Sequence, residues 1–236
     1  MPELMRFLRN LTENNNKPWF DEHKGEYLAV KQYRDALAID LLHALQELDS
    51  DLNGLGINDI TYRIYQDMRF HDREPYKNWV GIYLAKRGKK SPYAGYYLHI
   101  EPYFGKFFLC TGLYRDDKTL TKSVREDLSY SGQDFIEAVD GAKADDWYVD
   151  FDGALKKLPA DAPADSPCAD LFRLKHYLLV KDIDEKYLLS SRLVERLKEE
   201  FAPTVSWVKL LNRAVDYAID EWGYNIVPGS HHKVDR

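Results

Sequence analysis

The chain has 236 residues, enough for one large domain or two small ones, and its 44% hydrophobic content supplies ample material for a core, which excludes disorder of the whole chain. Acidic side chains outnumber basic ones 39 to 33, a net charge of -6, so the field of the whole molecule repels a polyanion and argues against generic nucleic-acid coating. Cys110 and Cys168 are too few for a disulfide framework and lack metal-ligand spacing, which points to a reducing compartment. The opening Met-Pro-Glu-Leu-Met-Arg has no secretory pattern, and no segment offers about 20 uncharged apolar residues, so a cytoplasmic protein without a membrane span is expected.

Leu4, Phe7, Leu8 and Leu11 recur at helical spacing, and Asn14, Asn15 and Asn16 then break that helix and offer a cap for the next, with Pro18 in its first turn. Phe20, Tyr27, Val30, Leu37, Leu41, Leu45 and Leu48 continue one stripe over a length that calls for a bend, expected near Gly25. The Asn- and Gly-rich run from Asp51 to Asn58 ends it. From Asp59 the period changes to two, and four strands are predicted: Thr61 to Asp67, Trp79 to Lys86, Gly95 to Glu101 and Lys106 to Tyr114. Their short connections imply an antiparallel meander.

Asp116 and Asp117 can cap a helix marked by Leu120, Val124 and Leu128, followed by a shorter one at Phe135, Ile136 and Val139. Gly141 to Pro167 is rich in Ala, Asp and Pro but carries Trp147, Tyr148, Phe151 and Leu155, apolar anchors for a surface excursion. Tyr177 to Val180 is a fifth strand candidate. Leu193, Val194, Leu197 and Phe201 mark another helix. Val205, Val208, Leu211, Val215, Ile219 and Trp222 mark a last one, between Pro203 and Gly223. The expected fold is α+β, a single domain over residues 1–236. Its antiparallel sheet of four or five strands, centred on residues 59–115, packs with N-terminal and C-terminal helices, and residues 229–236 form a polar tail.

Alternation sorts the sheet faces. Ile64, Val80, Ile82, Leu84, Leu98 and Ile100 fall on one set, and Arg63, Tyr65, Asp67, Trp79, Tyr83, Tyr97, His99 and Glu101 on the other. Charges on a buried face must be paired, so the second face reads either as an aromatic-walled pocket with convergent polar groups or as a covered face with internal ion pairs. Both readings put Arg63, Asp67, His99 and Glu101 in one neighbourhood. From Thr61 to Lys90 there are eight basic and three acidic residues, a local +5 that leaves the rest of the chain at -11.

The stretch Arg63-Ile-Tyr-Gln-Asp-Met-Arg69-Phe70-His-Asp-Arg73-Glu-Pro75-Tyr76-Lys77 resembles the signature of a mostly bacterial family, domain of unknown function 2461. Matching positions are Arg63, Asp67, Arg69, Phe70, Pro75, Tyr76 and Lys77, with departures at Gln66 and Arg73. Further blocks are similar at Phe7-Leu8, Asn14-Asn15, Trp19-Phe20, Tyr27, Tyr96 to Pro102 and Leu171 to Lys175. The resemblance implies a soluble single domain and supports this choice of residues.

Arginine suits bidentate recognition of carboxylate or phosphate, so the expected partner is an anionic small molecule. Arg63, Asp67, Arg69, Arg73, Tyr76, Lys77 and Tyr97 are the candidate binding residues, with His99 and Glu101 available for proton transfer. The segment from Arg69 to Lys77, alternating in sign, is expected to be ordered by side-chain pairing. A protein-interaction surface built on the exposed rings, or structured nucleic acid on the local basic patch, are the competing partners. No nucleotide, dinucleotide, zinc-protease or hydrolase motif is present, and neither a cofactor nor a metal is expected.

Overall fold

A computed structural model describes residues 1–67, 74–114, 117–160, 162–163 and 165–224. The described chain is α+β, and its five strands form one antiparallel sheet in the order β1-β2-β3-β5-β4. These strands are β1 (Val80–Ala85), β2 (Gly95–Glu101), β3 (Lys106–Leu113), β4 (Tyr148–Val149) and β5 (Tyr177–Asp182). Two compact units divide the chain. One comprises residues 1–89, 97–109 and 182–199, and the other residues 90–96, 110–181 and 200–236.

In the first unit α1 (Pro2–Glu13) buries Leu4, Phe7, Leu8 and Leu11 along the predicted stripe and stops at Asn14, where φ is -130° and ψ is 40°. Asn16 caps α2 (Lys17–Glu22), its side chain accepting the Trp19 N–H at 3.1 Å. The bend expected near Gly25 falls at His23, whose φ of -97° and ψ of 16° separate α2 from α3 (Lys24–Gln46). The His23 ring stacks on Trp19 at 4.1 Å and its Nδ1 hydrogen-bonds the Trp19 carbonyl, so the break is built from side chains.

A short α4 (Ile57–Ile60) precedes the one predicted strand that does not form. Among the described residues Thr61 to Asp67 makes two isolated bridges, Thr61 with Ile82 and Tyr65 with Tyr76. Side chains explain why the ladder stays short. Arg34 donates to the Tyr62 carbonyl at 3.0 Å, and Lys77 Nζ donates to the carbonyls of Arg63 at 3.1 Å and Tyr65 at 2.9 Å. Carbonyls that a neighbouring strand would use are thus satisfied by cations. Beyond it, Val80, Ile82, Leu84, Leu98 and Ile100 are buried as the alternation requires. This unit also holds α7 (Glu185–Leu188) and most of α8 (Leu193–Phe201).

In the second unit α5 (Lys118–Lys143) is capped by Asp117, which accepts the N–H groups of Thr119 and Leu120. The two helices predicted here are one helix bent at Ser131, where φ is -124° and ψ is 28°. The excursion after α5 is anchored by Trp147, 2% exposed, and adds β4 to the sheet through the pairs Tyr148 with Val180 and Val149 with Leu179. Tyr148 and Phe151, expected as anchors, lie 46% and 45% exposed. After α6 (Ala169–Phe172), β5 runs as predicted and two residues beyond the expected end. α9 (Val205–Trp222) buries Val208, Leu211 and Val215 and ends at Gly223 in the left-handed region, φ 61°.

Candidate functional site

Among the described residues, cationic side chains converge on one small recess in the first unit. α3 supplies Tyr27, Lys31 and Arg34, and the irregular segment after α4 supplies Tyr62 and Arg63. The approach to β1 supplies Lys77, Trp79 and Gly81. The recess measures about 30 Å³, room for one or two water-sized groups. Lys31 and Arg34 share Asp35, at 2.6 Å from Lys31 Nζ and 2.9 Å from Arg34 Nε. Burial alone would raise the Asp35 carboxyl, but hydrogen bonds from Lys31 and Arg34 hold it below its ordinary value.

Lys77 is half-buried, and burial followed by the Arg63 charge lowers its ammonium, with Asp67 opposing. Two of its protons go to backbone carbonyls. The exposed Arg63 side chain has no hydrogen bond or ion pair with any described residue, and the Tyr27 hydroxyl has no hydrogen bond with one. Burial raises the Tyr27 phenol above its ordinary value and pushes that of Tyr62 up to about 12, so both are neutral donors.

Trp79 connects this recess to the polar face of β2. Its ring lies 5.9 Å from Lys77 Nζ and 5.5 Å from the His99 ring. His99, at 9% exposure, is stacked on Phe108 of β3 at 4.6 Å and 15°. The period of two places Tyr97, His99 and Glu101 in a row, with Tyr97 Oη 2.9 Å from His99 Nδ1 and His99 Nε2 3.4 Å from Glu101 Oε2. Lys106 Nζ stands 3.8 Å from the same carboxylate. The His99 hydrogen bond, opposed by burial and aided by Lys106, holds Glu101 below the usual carboxylate range.

A depressed folded-state pKa contributes stability that is complete above the unfolded value of about 4.3 and is withdrawn as pH falls through the folded one. Wild type is therefore expected to exceed Glu101→Gln in urea midpoint at about pH 6, with the gap closing as pH drops toward about 3. A gap that widens on acidification contradicts this assignment.

Of the residues picked out from the sequence, Arg63 and Lys77 line the recess and Asp67 lies within electrostatic reach of Lys77. Tyr97, His99 and Glu101 form the neighbouring row. Tyr76 is 4% exposed and stacked on Phe20 at 4.0 Å, and both its backbone groups are held by the Asn15 amide, at 2.8 and 3.1 Å. It packs and positions Lys77. Arg69 and Arg73, and with them most of the segment expected to be ordered by charge pairing, lie outside the described residues. Neither Cys110 nor Cys168 is in a disulfide, and both are buried.

Sequence reasoning passed over Asn15, Tyr27, Lys31 and Arg34 as site residues. Arg34 had a signal: it sits between Val30 and Leu37 on the buried stripe of α3, and a cation at such a position needs a reason.

Fold and recess together define an α+β protein with a row of ionisable side chains on the sheet and a cation-lined recess beside it. The chain belongs to the family of conserved hypothetical proteins DUF2461, which matches residues 3–209 and so takes in the recess and the β2 row. No curated protein and no solved structure matches the chain. Among the described residues no helix is long and apolar enough to cross a membrane.

Proposed function

We propose that the recess binds the anionic end of a small molecule, a carboxylate or a phosphoryl group. The observation that supports this reading most is the excess of positive charge at the recess. Lys31 and Arg34 are shared with one carboxylate, whereas Arg63 lines the same recess without a partner among the described residues. A guanidinium left in that position is a ready bidentate donor, and Lys77 and the Tyr27 hydroxyl add donors beside it. The volume of about 30 Å³ admits one or two oxygens of an anionic head and not a whole metabolite. The remainder of the ligand would extend outward past Tyr65, which is 50% exposed and offers a ring to lie against.

Titration with inorganic phosphate and with small mono-, di- and tricarboxylates, read by thermal shift, tests this. At least one of these anions is expected to stabilise the wild type. Arg63→Ala is expected to weaken that anion roughly ten- to hundredfold, the worth of one charge-assisted hydrogen bond. It should leave the ligand-free melting temperature unchanged, because Arg63 is exposed. Stabilisation of both proteins by equal amounts, or of neither by any anion, overturns the reading.

A further inference from the structure

The row on β2 is built as a proton relay that ends in a phenol. Glu101, held as a carboxylate, can only accept, so the proton between it and His99 sits on Nε2. With His99 in its neutral form, the Nδ1 lone pair faces Tyr97 at 2.9 Å and can accept the phenolic proton. The His99 ring lies against Phe108 on one side and near Trp79 on another, so its orientation is fixed before any proton moves. Among the described residues, Lys106 of β3 lies beside Glu101, and Tyr83 of β1 lies 6.3 Å from the Tyr97 ring.

Gly81 is the second, independent observation. A Cβ there would stand 2.6 Å from Tyr97 Oη and 2.9 Å from the Trp79 ring. Gly81 lines the recess, and the absence of a side chain there leaves room for the Tyr97 hydroxyl beside that residue. A side chain of any size would push the phenol away.

We propose that Tyr97 is a proton-transfer group, a general base made competent by His99 and positioned through it by Glu101. In the step it performs, an acidic X–H bond of the substrate breaks and its electron pair stays on X. That proton goes to the Tyr97 oxygen while the phenolic proton passes to His99 Nδ1. The imidazolium so formed keeps its Nε2–H on the Glu101 carboxylate, and the relay runs backward when product is protonated. This assignment does not depend on what the cationic recess binds.

A small arylsulfonyl fluoride reads the same proton transfer without knowledge of the substrate. The phenol oxygen bonds to sulfur, fluoride leaves, and the phenolic proton goes to His99. Peptide mapping of the full chain by mass spectrometry gives the rate at each tyrosine. At about pH 7 Tyr97 is expected to be labelled ahead of Tyr130, which is 85% exposed and sets the rate for an unassisted phenol.

His99→Gln is expected to slow Tyr97 on the order of a hundredfold at neutral pH, the usual worth of general-base assistance, and to recover as pH approaches about 10, where tyrosine ionises unaided. Glu101→Gln should fall between the two, and Tyr97→Phe should abolish this adduct alone. Labelling in order of exposure, or a wild-type Tyr97 profile that follows ordinary tyrosine ionisation, overturns the relay whatever the folding of the variants. Failure of the anion titrations leaves these rates untouched, so the two readings fail separately.

Discussion

Gly112→Ala is expected to cost more than about 4 kcal/mol and to leave the protein insoluble or melting more than about 10 °C lower, against ordinary substitutions of about 0.5–3 kcal/mol. Two effects add. Gly112 lies in β3 at φ +129°, a conformation that L side chains rarely adopt. A Cβ there would also overlap the backbone carbonyl oxygen of Tyr177 in β5, with the Trp207 indole nitrogen 3.0 Å away. Backbone cannot rotate aside as a side chain can, so β3 and β5 would have to separate where the sheet joins them. Gly141→Ala is the control, because nothing lies within 4 Å of its added Cβ and it sits inside α5. It is expected to be neutral or to stabilise by up to about 1 kcal/mol. Urea unfolding of the two variants checks the contrast, and a Gly112→Ala midpoint near that of Gly141→Ala would contradict it.

The parts of the fold legible from sequence are those where one periodicity meets one environment. β2 falls on Gly95–Glu101, the predicted limits, because Tyr96, Leu98 and Ile100 meet the core while Tyr97, His99 and Glu101 face the other way. α9 was legible for the same reason, with Gly223 closing it in the left-handed region. Thr61 to Asp67 alternates just as well and still forms no strand. What decides it is tertiary: donors from Arg34, twenty-eight residues away, and from Lys77 occupy its carbonyls, and alternation carries no trace of them. The bend of the N-terminal helices comes two residues from Gly25, near where it was expected. Gly25 was the residue with freedom to bend, but the chain turns at His23, because a ring stack on Trp19 and a hydrogen bond to its carbonyl hold the break there.

The β2 row was therefore readable as a row, since a strand fixes its own spacing. The recess was only half readable, because Tyr27, Lys31 and Arg34 reach it from a helix whose stripe reads as ordinary core. Asn15 is similar. It stood out as part of an Asn cluster that breaks a helix, and its amide turns out to serve Tyr76 in the manner of a strand edge, donating to the carbonyl and accepting from the N–H. One residue type at a break can cap, as Asn16 does, or clasp a distant chain, and sequence alone does not separate the two uses.

Phe20→Ala is expected to cost about 3–5 kcal/mol, a fall in melting temperature of roughly 6–20 °C for a chain of this size. Phe20 is 1% exposed and stacked on Tyr76 at 4.0 Å, with Tyr27 at 5.1 Å and Tyr65 at 6.0 Å, so its removal leaves a cavity lined by three tyrosines that cannot collapse without moving. The loss should not stop at stability. Tyr76 is followed by Lys77, whose N–H holds the Ile64 carbonyl at 2.7 Å and whose ammonium holds Arg63 and Tyr65 through their carbonyls. A loosened Tyr76 therefore loosens Lys77 and Arg63 together, and anion affinity should drop even well below the melting temperature. Arg63→Ala separates the two effects, because it removes the charge and leaves the stack. Thermal melts of Phe20→Ala and Phe20→Leu, each with and without saturating phosphate or the best carboxylate, compare support with charge. Phe20→Leu should recover most of the stability by filling most of the volume. If Phe20→Ala melts low but binds the anion as tightly as wild type, the aromatic stack holds up the fold without positioning the cations, and Lys77 must be fixed by its backbone carbonyls alone.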